Sequence, residues 1–183
     1  RALQSLSKLS SLDLSETNCA DDVISELCAL PCVRELEVNR CRWLKDVDLS
    51  HLSKMKSLEF LSLNETTISA VGIAQLEQIP ALRLVRLERC PQIDDSAIDA
   101  IVSLCGGRNI SIDISGTELT HKGFVKLNTL VPHGKVQLHP DTLVEFREIA
   151  QRGQCFLGFD GKLIKKYGIS WNENPIALGF IRI

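Results

Sequence analysis

Aliphatic residues form one short pattern that recurs about every 24 positions along the chain. The segments LSSLDLSET at 9–17 and LEFLSLNET at 58–66 place Leu at positions one, four and six, and Thr at position nine. Two more segments keep this frame with Val or Leu: VRELEVNRC at 33–41 and LRLVRLERC at 82–90. A weaker copy is NISIDISGT at 109–117, which has Asn at position one and Ile at positions four and six. The fourth position of each is Leu12, Leu36, Leu61, Val85 and Ile112, in steps of 24, 25, 24 and 27 residues. A sixth segment is expected around Val136 and Leu138.

The frame predicts a short strand in each segment. Its fourth and sixth positions are two apart, so on a strand both side chains point to the same side, towards the core. The residues between and beside them point to the opposite face. The ninth position is Thr17, Cys41, Thr66, Cys90 or Thr117. A small side chain with a hydrogen-bonding atom can satisfy backbone groups where the chain leaves the strand, which predicts a hydrogen-bonded ladder.

Helical spacing follows the strands. Apolar residues recur every three or four positions in 23–30, 71–79, 96–104 and 121–130, which predicts a helix in each. Pro31 and Pro80 follow two of these segments, as expected for helix ends. Strands that alternate with helices indicate an α/β fold with a parallel sheet.

These segments resemble the leucine-rich repeat family, whose pattern is LxxLxLxx followed by Asn, Cys or Thr. The resemblance covers residues 1–139 as about five to six coils. It implies a right-handed solenoid with a concave parallel sheet and convex helices, which acts without catalysis by binding other proteins on its concave face. It also implies a scaffold or a subunit of a larger assembly. Because Leu12 and Leu14 would lie on an open end, we expect further repeats upstream of residue 1, or a partner that covers this coil.

One segment suggests a narrower function. CPQIDDSAIDAIVSLC at 90–105 resembles the cysteine-containing subclass of these repeats, which occurs in substrate-receptor subunits of ubiquitin ligases. A substrate-receptor arm of a ubiquitin ligase is therefore an alternative function.

Residues 140–183 depart from the frame. The pattern predicts a helix over 140–153, a hairpin over 154–166 with Asp160-Gly161 at its turn, and a strand at the C-terminus. We expect an α+β cap over the last coil, with a docking module for another chain as the alternative.

Charge and cysteine content narrow the function classes. The 183 residues include 21 Lys and Arg against 23 Asp and Glu, a balance that argues against nucleic-acid binding. An Arg-rich patch of Arg40, Arg42, Arg83, Arg86 and Arg89 keeps nucleic-acid or ribonucleoprotein binding as a further alternative. No apolar run is long enough to span a membrane. Seven scattered cysteines favour an intracellular, cytoplasmic location, with secretion left open.

Candidate chemistry is sparse. Cys28 and Cys32 have the spacing of half a metal site, but the sequence offers no second half, so no metal or cofactor is expected. Asn64-Glu65-Thr66 matches a glycosylation pattern that we interpret as chance, since Thr66 belongs to the ladder. The histidines have no partner in a catalytic motif, and we expect no enzyme activity.

The predicted binding residues lie on or beside the concave face. Phe60 and Leu84 should be neighbours there, because adjacent strands lie ~4.8 Å apart. Arg and Trp, which are enriched at binding hot spots, accompany this pair. The predicted set is Phe60, Leu84, Arg86, Trp43, Arg40, Arg89 and Glu88. A merely solvated face is the alternative interpretation.

Overall fold

The computed structural model describes residues 8–18, 23–106, 108–131, 135–137, 156–157 and 163–164. In these ranges the chain is an α/β protein in which short strands and short helices alternate. Repeats are numbered here by their strands.

Six parallel strands form the main sheet, and their order in the sheet is their order in the sequence. The central residues Leu12, Leu36, Leu61, Val85 and Ile112 are consecutive register partners, and Val136 follows Ile112. Neighbouring strands thus pair at the same frame positions, because the central residue of each strand is the fourth residue of its sequence segment. The strands are β1 Ser11–Asp13, β2 Glu35–Glu37, β3 Phe60–Ser62, β4 Leu84–Arg86, β5 Ser111–Asp113 and β6 Lys135–Gln137.

Helices connect consecutive strands. They are α1 Val23–Leu27, α2 Asp46–Leu49, α3 Ala70–Gln75, α4 Ile98–Cys105 and α5 His121–Leu130. Three of them are extended by 3₁₀ turns at Ser50–Lys54, Leu76–Gln78 and Asp95–Ala97. The four predicted helices are present, although two are part α and part 3₁₀, as is common at helix ends. The helix of the second repeat was not predicted, because a Ser- and Lys-rich stretch over 50–57 obscures its apolar spacing.

The core lies between the sheet and the helices. Central strand residues such as Leu61 and Val85 are fully buried and share one hydrophobic cluster with helix residues such as Ile73 and Ile98. Burying one such aliphatic side chain stabilises the fold by about 2 kcal/mol. Leu12 and Leu14 of the first repeat pack against the same cluster but stay partly exposed. No helix among the residues placed by the structure is long and apolar enough to cross a membrane.

A separate two-stranded sheet lies in the C-terminal part. Strand β7 (Phe156–Leu157) pairs antiparallel with β8 (Leu163–Ile164), in agreement with the hairpin predicted over 154–166. The predicted turn, the helix over 140–153 and the C-terminal strand lie outside the described residues.

Candidate interaction surface

The face of the sheet opposite the core is called the outer face here. Each of the first five strands contributes the two residues that flank its central, inward-pointing residue. In the first five strands these are Ser11 and Asp13, Glu35 and Glu37, Phe60 and Ser62, Leu84 and Arg86, and Ser111 and Asp113. The turn residue two positions beyond each strand, such as Asn64 or Glu88, borders this face.

An apolar pair lies in the middle of the outer face. Phe60 and Leu84 are register partners on β3 and β4, and both are half-buried although they point away from the core. The guanidinium carbon of Arg86 lies 5.4 Å from the centre of the Phe60 ring. This distance permits a cation–π contact, which fixes Arg86 over the ring. Three of the seven predicted binding residues are thus brought together.

Carboxylates lie on the strands next to this pair. Asp13, Glu35 and Glu37 occupy β1 and β2, and Glu35 is the register partner of Phe60. Glu37 Oε2 accepts a hydrogen bond from Asn39 Nδ2 at 3.2 Å.

Hydrogen bonds orient a second of these carboxylates. Asp13 Oδ1 accepts from the Ser15 amide at 2.8 Å. Hydrogen bonds from the Ser15 side chain and backbone lower the pKa of Asp13. This carboxylate is therefore charged at neutral pH.

A row of side-chain oxygens holds the edge of the outer face together. Asn39 Oδ1 accepts from Ser62 Oγ at 2.7 Å and from the Asn64 amide at 2.9 Å. Asn64 Oδ1 accepts in turn from the Glu88 amide at 2.9 Å. These bonds give Asn64 a structural role, and they fix the backbone of Glu88, a fourth predicted binding residue. The sequence signal was the recurrence of Asn at one position of two successive repeats.

Arg40 and Arg89 belong to an ion ladder along one rim of the sheet. Arg40 donates to both carboxylate oxygens of Glu65 at 2.9 Å and to Glu16 at 2.7 Å, and Arg89 lies 3.8 Å from Glu65. Hydrogen bonding to Arg40 lowers the pKa of Glu65. All four residues have positive φ, between 53° and 60°. Their amides nevertheless donate to the carbonyl of the next repeat at 2.8–2.9 Å, which holds this unfavourable conformation in place. Gly116 continues the same position in the fifth repeat with φ 66°.

Trp43 contacts the first repeat. Its indole nitrogen donates to the Thr17 carbonyl at 3.1 Å, and its half-buried ring packs against the core. The ring therefore joins the second repeat to the first. Its role in binding stays a prediction.

The thiols of Cys28, Cys41 and Cys90 donate to backbone carbonyls. Cys28 Sγ donates to the His51 carbonyl at 3.0 Å, and burial raises the pKa of this thiol. Within the part of the chain that the structure describes, no group of three His, Cys, Asp or Glu residues is arranged to hold a metal ion.

Comparison with solved structures identifies a similar fold. The tropomodulin C-terminal domain of Caenorhabditis elegans matches with a TM-score of 0.52 at 8% identity, over 78% of this chain and 90% of that domain. An internalin from Listeria monocytogenes matches with a TM-score of 0.37 at 17% identity, over 68% of this chain and 47% of that one. At such identities the first likeness concerns the fold alone, and the second carries no further conclusion. No model of a known protein family matches the chain. No curated protein matches it.

Proposed function

We propose that this chain is a leucine-rich-repeat solenoid that binds another protein on the outer, concave face of its sheet. The solenoid covers residues 1–139, and residues 140–183 cap its last coil. The constant strand register and the shared fold of the tropomodulin C-terminal domain support the architecture. Solenoids provide a rigid, extended surface whose residues vary independently of the core, which suits a non-catalytic scaffold.

One observation carries the proposed binding site: an apolar pair lies on the face of the sheet that does not pack against the core. Phe60 and Leu84 are adjacent, half-buried, and bordered by Arg86 in cation–π geometry. A face that only met water would be satisfied by polar residues at these positions. Aromatic and Arg side chains clustered around a small apolar patch are typical of protein-binding hot spots.

The contacts of the arginines disfavour nucleic-acid binding on this side. Arg40 is paired with two carboxylates, and Arg83 Nε lies 3.9 Å from a carboxylate oxygen of Glu59. Phosphate binding requires cations that are free to replace counterions. The ubiquitin-ligase alternative is a narrower form of the proposed function, and no contact among the described residues favours it. The described cysteines are thiols, which supports a reducing, intracellular location.

Partner capture from the native source tests the proposed site. We expect Phe60→Asp to lose the proteins that co-purify with the wild type, because a charge replaces the apolar anchor. Val71→Asp is the matched control, since Val71 is 61% exposed at the start of α3, away from the outer face. It should retain the same partners.

The fold of each variant is checked by far-ultraviolet circular dichroism. Phe60→Asp should keep the wild-type spectrum. Leu61→Asp, one residue along the same strand, should unfold the array because it buries an unpaired charge. Equal loss of partners in Phe60→Asp and Val71→Asp, or loss in neither, would refute the outer-face site.

A further inference from the structure

The outer face has an uneven charge distribution around its apolar pair. Glu35 is the register partner of Phe60 on one side, and Leu84 is its partner on the other. Asp13 and Glu37 are register partners of each other. Between backbone positions, Glu35 therefore lies one strand spacing from Phe60, roughly 5 Å, and Glu37, two residues further along that strand, lies roughly 8 Å away. Asp13 lies one strand further, at roughly 12 Å.

Several carboxylates beside the outer face are held in ion pairs. On the rim, Glu16 and Glu65 pair with Arg40, and on the opposite side Glu59 pairs with Arg34 at 3.3 Å. Among the residues that the structure describes, Asp13, Glu35 and Glu37 take part in no ion pair. Arg34 and Arg40 therefore neutralise carboxylates at the edges of the outer face and not those on it.

Arg86 does not balance these charges. It lies over the Phe60 ring, beside the buried Asp113 on β5 and two residues before Glu88. On the first five strands, the exposed or half-exposed carboxylates of the outer face thus outnumber the one guanidinium there. An anionic partner such as a nucleic acid would be repelled, whereas a cationic segment would gain charge-assisted contacts.

We propose that the partner presents a basic, partly apolar segment to the outer face. An apolar side chain of that segment lies on Phe60 and Leu84, and its Lys or Arg side chains pair with Glu35 and Glu37. An extended peptide advances ~3.3 Å per residue, so the cation stands within about three residues of the apolar anchor. This inference rests on the proposed function and adds the chemistry of the partner.

Selection from a random linear-peptide library displayed on phage tests the inference with a defined probe. We expect the wild-type protein to enrich peptides with Lys or Arg near an aliphatic or aromatic residue. Their affinity should fall about five- to tenfold in Glu35→Gln/Glu37→Gln, the loss expected for two exposed pairs. It should also weaken as salt rises, because screening acts on exposed charges.

The matched control removes the same charge from the rims. Glu59→Gln/Glu65→Gln should leave the affinity of the selected peptides within about twofold of the wild type, since these carboxylates already serve internal pairs. Peptides that need Phe60 but lack basic residues, or that bind Glu35→Gln/Glu37→Gln unchanged, would overturn the charge inference and leave the outer-face site intact. Failure to select any peptide whose binding is lost in Phe60→Asp would overturn both.

Discussion

At the scale of single residues, the alternation of Thr and Cys at the ninth frame position has a geometric cause. Thr66 Oγ1 donates to the Leu63 carbonyl of its own repeat at 2.6 Å, and Cys90 Sγ of the next repeat donates to the same carbonyl at 3.2 Å. Thr17 and Cys41 share the Leu14 carbonyl in the same way, at 2.6 and 3.3 Å. The small Thr oxygen makes the short hydrogen bond within its own repeat, and the larger Cys sulfur makes the longer hydrogen bond to the preceding repeat. The ladder that the sequence predicts is thus built from pairs of repeats.

Replacing Thr66 with Val tests this ladder where it is buried. The substitution keeps the side-chain shape but removes the hydroxyl, so the Leu63 carbonyl keeps only the weaker thiol donor. We expect the free energy of unfolding, measured with urea, to fall by about 1 kcal/mol. Thr17→Val, at an exposed position with the same bond, should cost less because water can replace the hydroxyl. An equal or larger cost at Thr17 would contradict the explanation.

The buried thiols predict how stability changes at alkaline pH. Burial raises the pKa of Cys105 from its ordinary value of 9.0 to about 11. The folded protein therefore holds this proton more tightly than the unfolded chain does. Its contribution to stability is complete below about pH 9 and is lost as the pH rises towards 11.

A comparison of Cys105→Ala with the wild type isolates that contribution. The variant should lose less of its unfolding free energy between about pH 8 and 11 than the wild type loses, because it has no thiol to ionise at this position. Urea unfolding at several pH values measures the difference. Parallel pH profiles for the two proteins would show that the Cys105 thiol has no raised pKa.

At the scale of elements, a second contact joins the repeats on the helix side. Asp46, the first residue of α2, accepts from both the amide and the hydroxyl of Ser69, the N-cap of α3, at 2.9 and 2.5 Å. Asp95 binds Thr120, the N-cap of α5, in the same way at 2.8 and 2.6 Å. The shared carbonyls join each repeat that has Thr at the ninth frame position to the following repeat, which has Cys there. The carboxylates of Asp46 and Asp95 join each of these Cys-containing repeats to the next Thr-containing repeat. The structural unit therefore consists of two repeats, with a period of 49 residues from Cys41 to Cys90.

A glycine leaves room for each of these two carboxylates. A Cβ atom at Gly72 would collide with Asp46 Oδ1 and lie 2.7 Å from Ile68 Cγ2, and one at Gly123 would collide with Asp95. Gly lies three residues after the N-cap in both helices, where an ordinary side chain would favour the helix more. Its presence follows from the carboxylate that approaches the backbone.

A double-mutant cycle on Asp46 and Gly72 tests the contact. We expect Gly72→Ala to destabilise the wild type by about 1–2 kcal/mol, because Asp46 must move. In the Asp46→Ala background the same change should cost less by at least about 0.5 kcal/mol, since the carboxylate is gone. Additive costs in urea unfolding would mean that the collision with Asp46 does not determine the choice of Gly.

Elements with a strong period could be predicted from sequence, and contacts across repeats could not. The strands and the pairing of Phe60 with Leu84 follow from one aliphatic frame, because register repeats when spacing repeats. The rim ladder was missed, since pairing Glu16 with Arg40 requires two residues 24 apart to share a positive φ. The contact of Trp43 with Thr17 was also missed, since it depends on how the turn after β2 folds back.

At the scale of the whole molecule, the two faces of the sheet differ in chemistry. One face carries aliphatic residues most of which are fully buried. The other carries Phe60, Leu84 and Arg86 close to carboxylates that, within the described residues, form no ion pair. Ion pairs neutralise both edges of that outer face. We therefore expect the binding energy to concentrate in β2, β3 and β4, where the apolar pair and the carboxylates meet.

Site-specific photo-crosslinking tests this division most directly. A photoreactive phenylalanine analogue is placed at position 60 on the outer face, or at position 71 on the helix side, and the proteins captured from the native source are compared by mass spectrometry. The proposed function predicts a strong crosslink to a partner from position 60 and little or none from position 71. Crosslinks from position 71 alone would contradict binding by the outer face of the sheet.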